Sequence, residues 1–257
     1  GTEHAELEGM QTTIEMIPRL ARQFDEPIAD PAIVPMSLVT EKIRKYAPVA
    51  LGGDGGDELF GGYSHYNFVH WIEAARTFVP RFARGLISKL ASQRLPPGTR
   101  GRNHLVGFDG DLGRSLAHVN LYYDAPTRLQ LVPRLNDLGG QRAEAYRAGM
   151  CNRLLSPLQQ AMRADFATTL VDGYLVKVDR ASMMHSLEVR APFLDYQLIE
   201  FAYGELADNQ RANWRDSKIL LREMAKRLLP PEFDSQRKQG FSIPIADWFK
   251  GTWGDLV

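Results

Sequence analysis

The chain has 257 residues, with 31 basic and 31 acidic side chains and a formal net charge of zero. Its 44% apolar and 24% charged composition is that of a globular protein, with enough apolar surface to offset the ordering entropy that leaves other chains disordered. No stretch approaches the roughly 20 uninterrupted apolar residues that a bilayer span needs, and the balanced charge removes any global attraction to nucleic acid.

The length suits one large domain or two small ones, at roughly 100–200 residues each. The single cysteine, Cys151, excludes an intramolecular disulfide and a cysteine-based zinc site, and it makes a reducing, cytoplasmic setting the default. The acidic start, Gly1 to Glu8, lacks the basic and then apolar order of a signal peptide. It reads as the interior of a longer chain.

Residues 18–24 read as a short helix with Pro18 in its first turn, and 25–35 as a proline-punctuated loop. A helix over 37–46 carries Leu38, Ile43 and Tyr46 and stops before Pro48. Residues 49–51 form a short, buried strand. Residues 76–102 hold seven basic side chains and no acid. Val79, Phe82, Leu86 and Leu90 recur there at helical spacing, so the segment is either a docking face for an acidic partner or a solvated basic helix. From Gly101 onward the pattern is mostly helical. Leu154, Leu155, Leu158, Met162 and Phe166 share a stripe over 154–171, Asp195 caps a helix carrying Leu198, Ile199 and Phe201, and Asp216 caps one running from Ile219 to Leu229.

The strand feeds the most unusual stretch of the chain, Gly52-Gly53-Asp54-Gly55-Gly56-Asp57-Glu58-Leu59-Phe60-Gly61-Gly62-Tyr63, with six glycines in positions 52 to 62 and three carboxylates. A strand ending in such a turn presents it at the carboxyl edge of a sheet, where α/β proteins bind ligands. Glycines let a ligand approach the backbone, and carboxylates beside a phosphate require a cation between them. The combination points to a nucleotide with Mg²⁺. It matches neither a Walker loop nor a calcium loop. Two further segments carry chemistry. In Val178-Asp179-Arg180 through Asp195, Glu188 and Arg190 either pair with each other or hold a charged substrate, and His185 reads as a satisfied buried histidine. In Ser235-Gln236-Arg237-Lys238-Gln239-Gly240, Lys238 offers a compact charge for a phosphate.

Together, in this order, these segments resemble the synthetase domain of the asparagine synthetase family, whose members include β-lactam synthetase. The resemblance covers nearly the whole chain, 1–257, with a subdivision into an α/β part (1–75) and a mainly helical part (76–257) left open. It implies an α/β fold of the adenine nucleotide alpha-hydrolase-like, ATP-pyrophosphatase type, with a large helical portion. It implies an ATP-dependent ligase in which the aspartate side chain is adenylated to β-aspartyl-AMP and attacked by ammonia from glutamine. Carried over by position, Asp54 is the catalytic carboxylate, Gly52 and Gly53 contact ATP, and Asp57 serves Mg²⁺ and pyrophosphate. Lys238 stabilises charge on the α-phosphate, and Glu188 and Arg190 lie near the substrate end. Arg180 stands where many members have lysine. The implied partners are aspartate, ATP, ammonia and a glutaminase domain, with a second copy of the chain left open and neither nucleic acid nor membrane expected. Related amidotransferases acting on polysaccharide, peptide or antibiotic precursors, and a degenerate interaction domain, are the alternatives. The family's Ser-Gly-Gly-x-Asp-Ser pyrophosphate loop and its nucleophilic N-terminal cysteine have no counterpart in this sequence, so this chain on its own is expected to be inactive.

Overall fold

The computed structural model describes residues 4–6, 15–24, 26, 28, 30–119, 121, 123–136, 142–234, 244–251 and 254. In chain order the elements begin with α1 (Met16–Gln23), α2 (Ile33–Arg44), β1 (Val49–Leu51), α3 (Gly56–Phe60), α4 (Ser64–Phe78) and α5 (Arg81–Arg94). They continue with α6 (Arg102–Val106), α7 (Leu112–His118), α8 (Ala125–Leu131), α9 (Arg142–Gly149) and α10 (Pro157–Asp165). A π-helical stretch (Phe166–Leu175) then leads into α11 (Val176–Met183), β2 (Glu188–Arg190), α12 (Tyr196–Gly204), α13 (Asp208–Arg211), α14 (Ile219–Leu228) and α15 (Ile245–Lys250).

These residues group into two compact units, one of 1–54, 170–195 and 231–257, the other of 55–169 and 196–230. The grouping does not coincide with a cut at residue 75, because the chain returns to the first unit twice.

In the first unit, Leu20, Phe24, Val34 and Ala181 form a core that joins α1, α2 and α11. The face of α2 that meets α11 carries small polar residues. Thr40 Oγ1 donates to the carbonyls of Met36 and Ser37 at 2.9 and 3.0 Å, so its buried hydroxyl is satisfied locally. The strands β1 and β2 pair in parallel with Val49 opposite Glu188, Ala50 opposite Val189 and Leu51 opposite Arg190. Backbone bonds from Glu188 N–H to Pro48 O (3.0 Å) and from Gly52 N–H to Arg190 O (2.7 Å) extend the ladder at both ends. The strand at 49–51 is where its sequence places it, but it is not buried: Leu51 is 75% exposed.

The second unit is helical and packs around Tyr66, Val69, Leu112, Leu116, Leu158 and Met162. Its helix starts follow local capping. Ser156 accepts the Gln159 N–H and Pro157 fills the first turn, which starts α10 at 157 and leaves Leu154 outside it, 93% exposed. Asp216 does not cap α14. Its backbone N–H is held by Asn213 Oδ1 at 2.7 Å, and the helix is entered through Lys218 in the left-handed region, φ 52°. Trp71 on α4 meets Trp214 edge to face, ring centroids 6.2 Å apart.

Buried charges in this unit are met by ions or by hydrogen-bonding groups. Asp165, 1% exposed, accepts from His65 Nε2 at 2.6 Å and from Arg147. Arg102 reaches Asp124 at 2.7 Å with both side chains buried. Arg211, fully buried, donates to the carbonyls of Ala202 and Leu206 just where α12 ends. There its cation answers the negative end of the helix dipole.

Candidate active site

The parallel pairing of β1 with β2 brings together two segments that the sequence holds far apart. Gly52 and Asp54 lie at the carboxyl end of β1, and Glu188 and Arg190 lie on the neighbouring strand. The approach is close. A Cβ on Gly52 would stand 2.9 Å from Asp54 Oδ2 and 3.1 Å from Val189 Cγ1. Glycine at 52 therefore lets the Asp54 carboxyl fold back beside the strand. Among the described residues, its chain neighbours aside, Gly53 has no heavy atom within 4 Å of where its Cβ would be, which leaves room there for a ligand to approach the backbone. The Gly52 N–H is already engaged by Arg190 O, so any nucleotide contact there falls to its carbonyl.

Asp54 is half-buried, and burial raises its pKa above the ordinary carboxylate value, while the Lys177 ammonium and its own backbone N–H pull the other way. Lys177 was not singled out from the sequence. It is 8% exposed, its Nζ lies 2.6 Å from Asp30 Oδ2 and 4.6 Å above the Tyr174 ring. The signal was a lone lysine between Leu175-Val176 and Val178, at a position where the helix turns inward. Asp30 sat unnoticed in the proline-rich loop.

Glu188 and Arg190 meet each other: Arg190 Nε donates to Glu188 Oε1 at 2.8 Å, with both side chains more than half exposed. They stand on one side of the strand, as residues two apart must, and remain within reach of a solute. His185 is satisfied by Ser37 Oγ at 2.9 Å. Burial lowers its basicity.

The three carboxylates of the Gly-Asp stretch have separate environments. Asp57 belongs to the second unit and forms an ion pair with Lys218 at 2.7 Å. Glu58, 1% exposed, accepts from the Tyr63 hydroxyl at 2.6 Å, and burial raises its pKa. It is part of the packing. Lys238, expected to share a pocket with Asp54 and Asp57, lies outside the described residues.

The residues present suit a nucleotide better than a resident metal. Gly53 offers open backbone beside a carboxylate. Among the described residues no three Cys, His, Asp or Glu side chains gather into a metal cage, and Asp57 already faces a cation. A magnesium ion in such a setting would be held chiefly by phosphate oxygens.

The asparagine synthase family model matches residues 1–257. Over 242 residues the chain is 28% identical to asparagine synthetase (glutamine-hydrolyzing) 1 of Bacillus subtilis (strain 168), covering 94% of this chain and 38% of that protein. Over 250 residues it is 29% identical to a provisionally named asparagine synthetase (glutamine-hydrolyzing) of Mycobacterium tuberculosis (strain ATCC 25618 / H37Rv), covering 95% of this chain and 37% of that protein. The chain thus spans well under half the length of these relatives. No solved structure matches it. With a match from end to end, through both the Gly-Asp turn and the strand that pairs beside it, the chain belongs to the asparagine synthase family.

Proposed function

We propose that this chain is the synthetase part of an ATP-dependent amide-forming ligase, in which the β-carboxyl of aspartate is adenylated and ammonia derived from glutamine displaces AMP. The observation that carries the reading is the β1–β2 register, which sets the Gly52–Asp54 turn against Glu188 and Arg190 on one edge. An open glycine backbone beside a carboxyl suits a triphosphate and an amino-acid substrate sharing that edge.

Asp54 is the general base for the attacking nitrogen. A pKa raised by burial moves a carboxylate toward the range where it can hold a proton taken from ammonia or ammonium. The proton leaves nitrogen as the carbon–nitrogen bond forms and AMP departs with the oxygen it carries. Lys177, anchored by Asp30, keeps Asp54 ionised until then. Arg190 and Glu188 present one donor and one acceptor group to a zwitterionic substrate, and Lys238 stabilises charge on the departing phosphate. Magnesium, carried in by the nucleotide, would supply charge neutralisation on its phosphates.

The test is product analysis with the longer polypeptide containing this chain, supplied with ATP, ammonia and a series of carboxylic acids. AMP and pyrophosphate should appear in step with asparagine when aspartate is the acid. Release of ADP and phosphate would replace adenylation with phosphorylation, and turnover of another acid in preference to aspartate would overturn the substrate.

A further inference from the structure

The helix α5 is amphipathic with its faces exchanged. Phe82, Leu86 and Leu90 recur every fourth residue on α5, a spacing that puts them on one side. That side faces water: Phe82 is 81% exposed, Leu86 58% and Leu90 47%, and Phe78, at the end of α4 before the extended residues Val79 and Pro80, is 84% exposed as well. The side that meets the rest of the unit carries small residues instead. Ser88 and Ala91 are buried, and Ser88 Oγ donates to Val106 O at 2.6 Å.

The flanking charge has one sign. No Asp or Glu occurs from residue 74 to residue 108. Two of the arginines there are engaged elsewhere, Arg76 with Glu73 and Arg102 with Asp124. Arg81, Lys89, Arg94 and Arg100 are exposed, and among the described residues none of the four forms an ion pair.

We propose that Phe78 and α5 form a docking surface for an anionic lipid bilayer. The helix lies flat, with Phe78, Phe82, Leu86 and Leu90 in the boundary between headgroups and acyl chains. Arg81, Lys89, Arg94 and Arg100 meet the lipid phosphates. Fourteen residues make a helix of roughly 21 Å, which is too short to span a bilayer and suited to lying in its surface plane. The geometry disfavours other occupants. A second copy seated on the same face would bring Arg81, Lys89 and Arg94 against their like. A nucleic acid would satisfy the cations and leave the two phenylalanines and two leucines in water. A folded acidic partner would need a groove shaped to a protruding stripe, whereas a bilayer yields to it. Attachment through one short helix and four cations is reversible and weakens with salt. Such docking goes beyond the expectation that no membrane is involved, and no described helix is long and apolar enough to cross one.

The experiment is co-sedimentation of the chain with vesicles of phosphatidylcholine containing roughly one-third phosphatidylglycerol, and with vesicles of phosphatidylcholine alone. The wild-type chain should pellet with the first and not the second. Phe78→Ser/Phe82→Ser/Leu86→Ser should bind at least tenfold more weakly with an unchanged melting temperature, because those side chains already stand in water. The single variant Phe82→Ser gives the same reading should the triple one fold poorly. Arg81→Gln/Lys89→Gln should reduce both binding and its salt dependence. Failure of the folded wild type to bind anionic vesicles, or binding that survives loss of the aromatic stripe, overturns the proposal. So does a concentration-dependent dimer in the absence of lipid that the same serine variants abolish, since the occupant would then be a second copy.

Discussion

The ion pair between Asp57 and Lys218 exists because residue 62 has no side chain. A Cβ on Gly62 would stand 1.7 Å from Asp57 Oδ1 and 2.4 Å from Lys218 Cε, in the space where the two groups meet at 2.7 Å. The family resemblance places Asp57 at a nucleotide and magnesium position. In the fold its carboxylate ties α3 to the entry of α14, where Lys218 N–H also donates to Gly61 O at 3.3 Å.

Gly62→Ala should therefore break this pair and cost about 1–3 kcal/mol, as overpacking does. A double-mutant cycle makes the mechanism visible. Asp57→Asn and Lys218→Met should show a coupling of about 1 kcal/mol with glycine at 62 and none in the Gly62→Ala background. Equal coupling in both backgrounds would refute the steric argument.

Asp54→Asn should lower amide formation by the longer polypeptide roughly 10²-fold or more, as loss of a general base does. It should not lower the melting temperature. Burial raises the folded-state pKa of Asp54, so the neutral form is favoured by folding. That contribution is full below the unfolded value near pH 4 and is lost as pH rises through the folded one. At neutral pH the wild type holds a half-buried anion that the amide replaces, and the variant should melt slightly higher. The difference should vanish on acidification. A variant that melts lower at pH 7, or one that keeps full activity, would remove Asp54 from the mechanism.

Asp165 behaves in the opposite sense. Burial works against its ionisation, but the hydrogen bond and charge of His65 together with Arg147 hold its pKa below the ordinary value. A depressed carboxylate contributes stability above the unfolded value near pH 4 and loses it as pH falls through the folded one. Asp165→Asn leaves Arg147 and His65 without their anion and should cost about 3–5 kcal/mol in urea unfolding at pH 7. It should also flatten the acid limb of the stability profile. An unchanged slope below pH 4 would show that another group governs acid unfolding.

Cys151 should be slow to react. Burial first, and then Asp111, pushes its thiol up to about 11, which leaves on the order of one molecule in a thousand as thiolate at pH 8. Iodoacetamide labelling of the folded chain should run at least 100-fold slower than in urea. Equal rates would place the thiol in water.

Some of this molecule is written in short range. The strand at 49–51 and the glycine-rich turn after it are local signals, and both stand where they were read. Other features depend on what a segment meets. Nothing near Val49 specifies Glu188 as its neighbour. Register between strands so far apart is set by the packing of α2 on α11, which delivers β2 to β1. The stripe Phe82, Leu86 and Leu90 announces an amphipathic helix. A period of 3.6 tells which residues share a face but not which face is covered, and here the small residues Ser88 and Ala91 hold the helix down. Asp216 had the composition of a cap, yet Asn213 claims its backbone first. Lys177 was missed for a related reason. A lysine among apolar neighbours reads as a surface interruption until Asp30, from a distant loop, supplies the anion that keeps it inside.

The edge-to-face Trp71–Trp214 pair gives the second unit an optical signature of its own. Two indoles at that separation and angle couple their transitions, so near-ultraviolet circular dichroism should carry a band pair that disappears when α4 leaves the turn at 213–216. Both tryptophans lie in the residues 55–169 and 196–230, and neither reports on β1, β2 or Asp54. Thermal scans followed at that band and by far-ultraviolet helicity would therefore coincide if the two units unfold together and separate if they do not. Comparing the two scans for a variant and the wild type, without any label, can thus reveal whether a substitution at the glycine-rich turn loosens one unit or both.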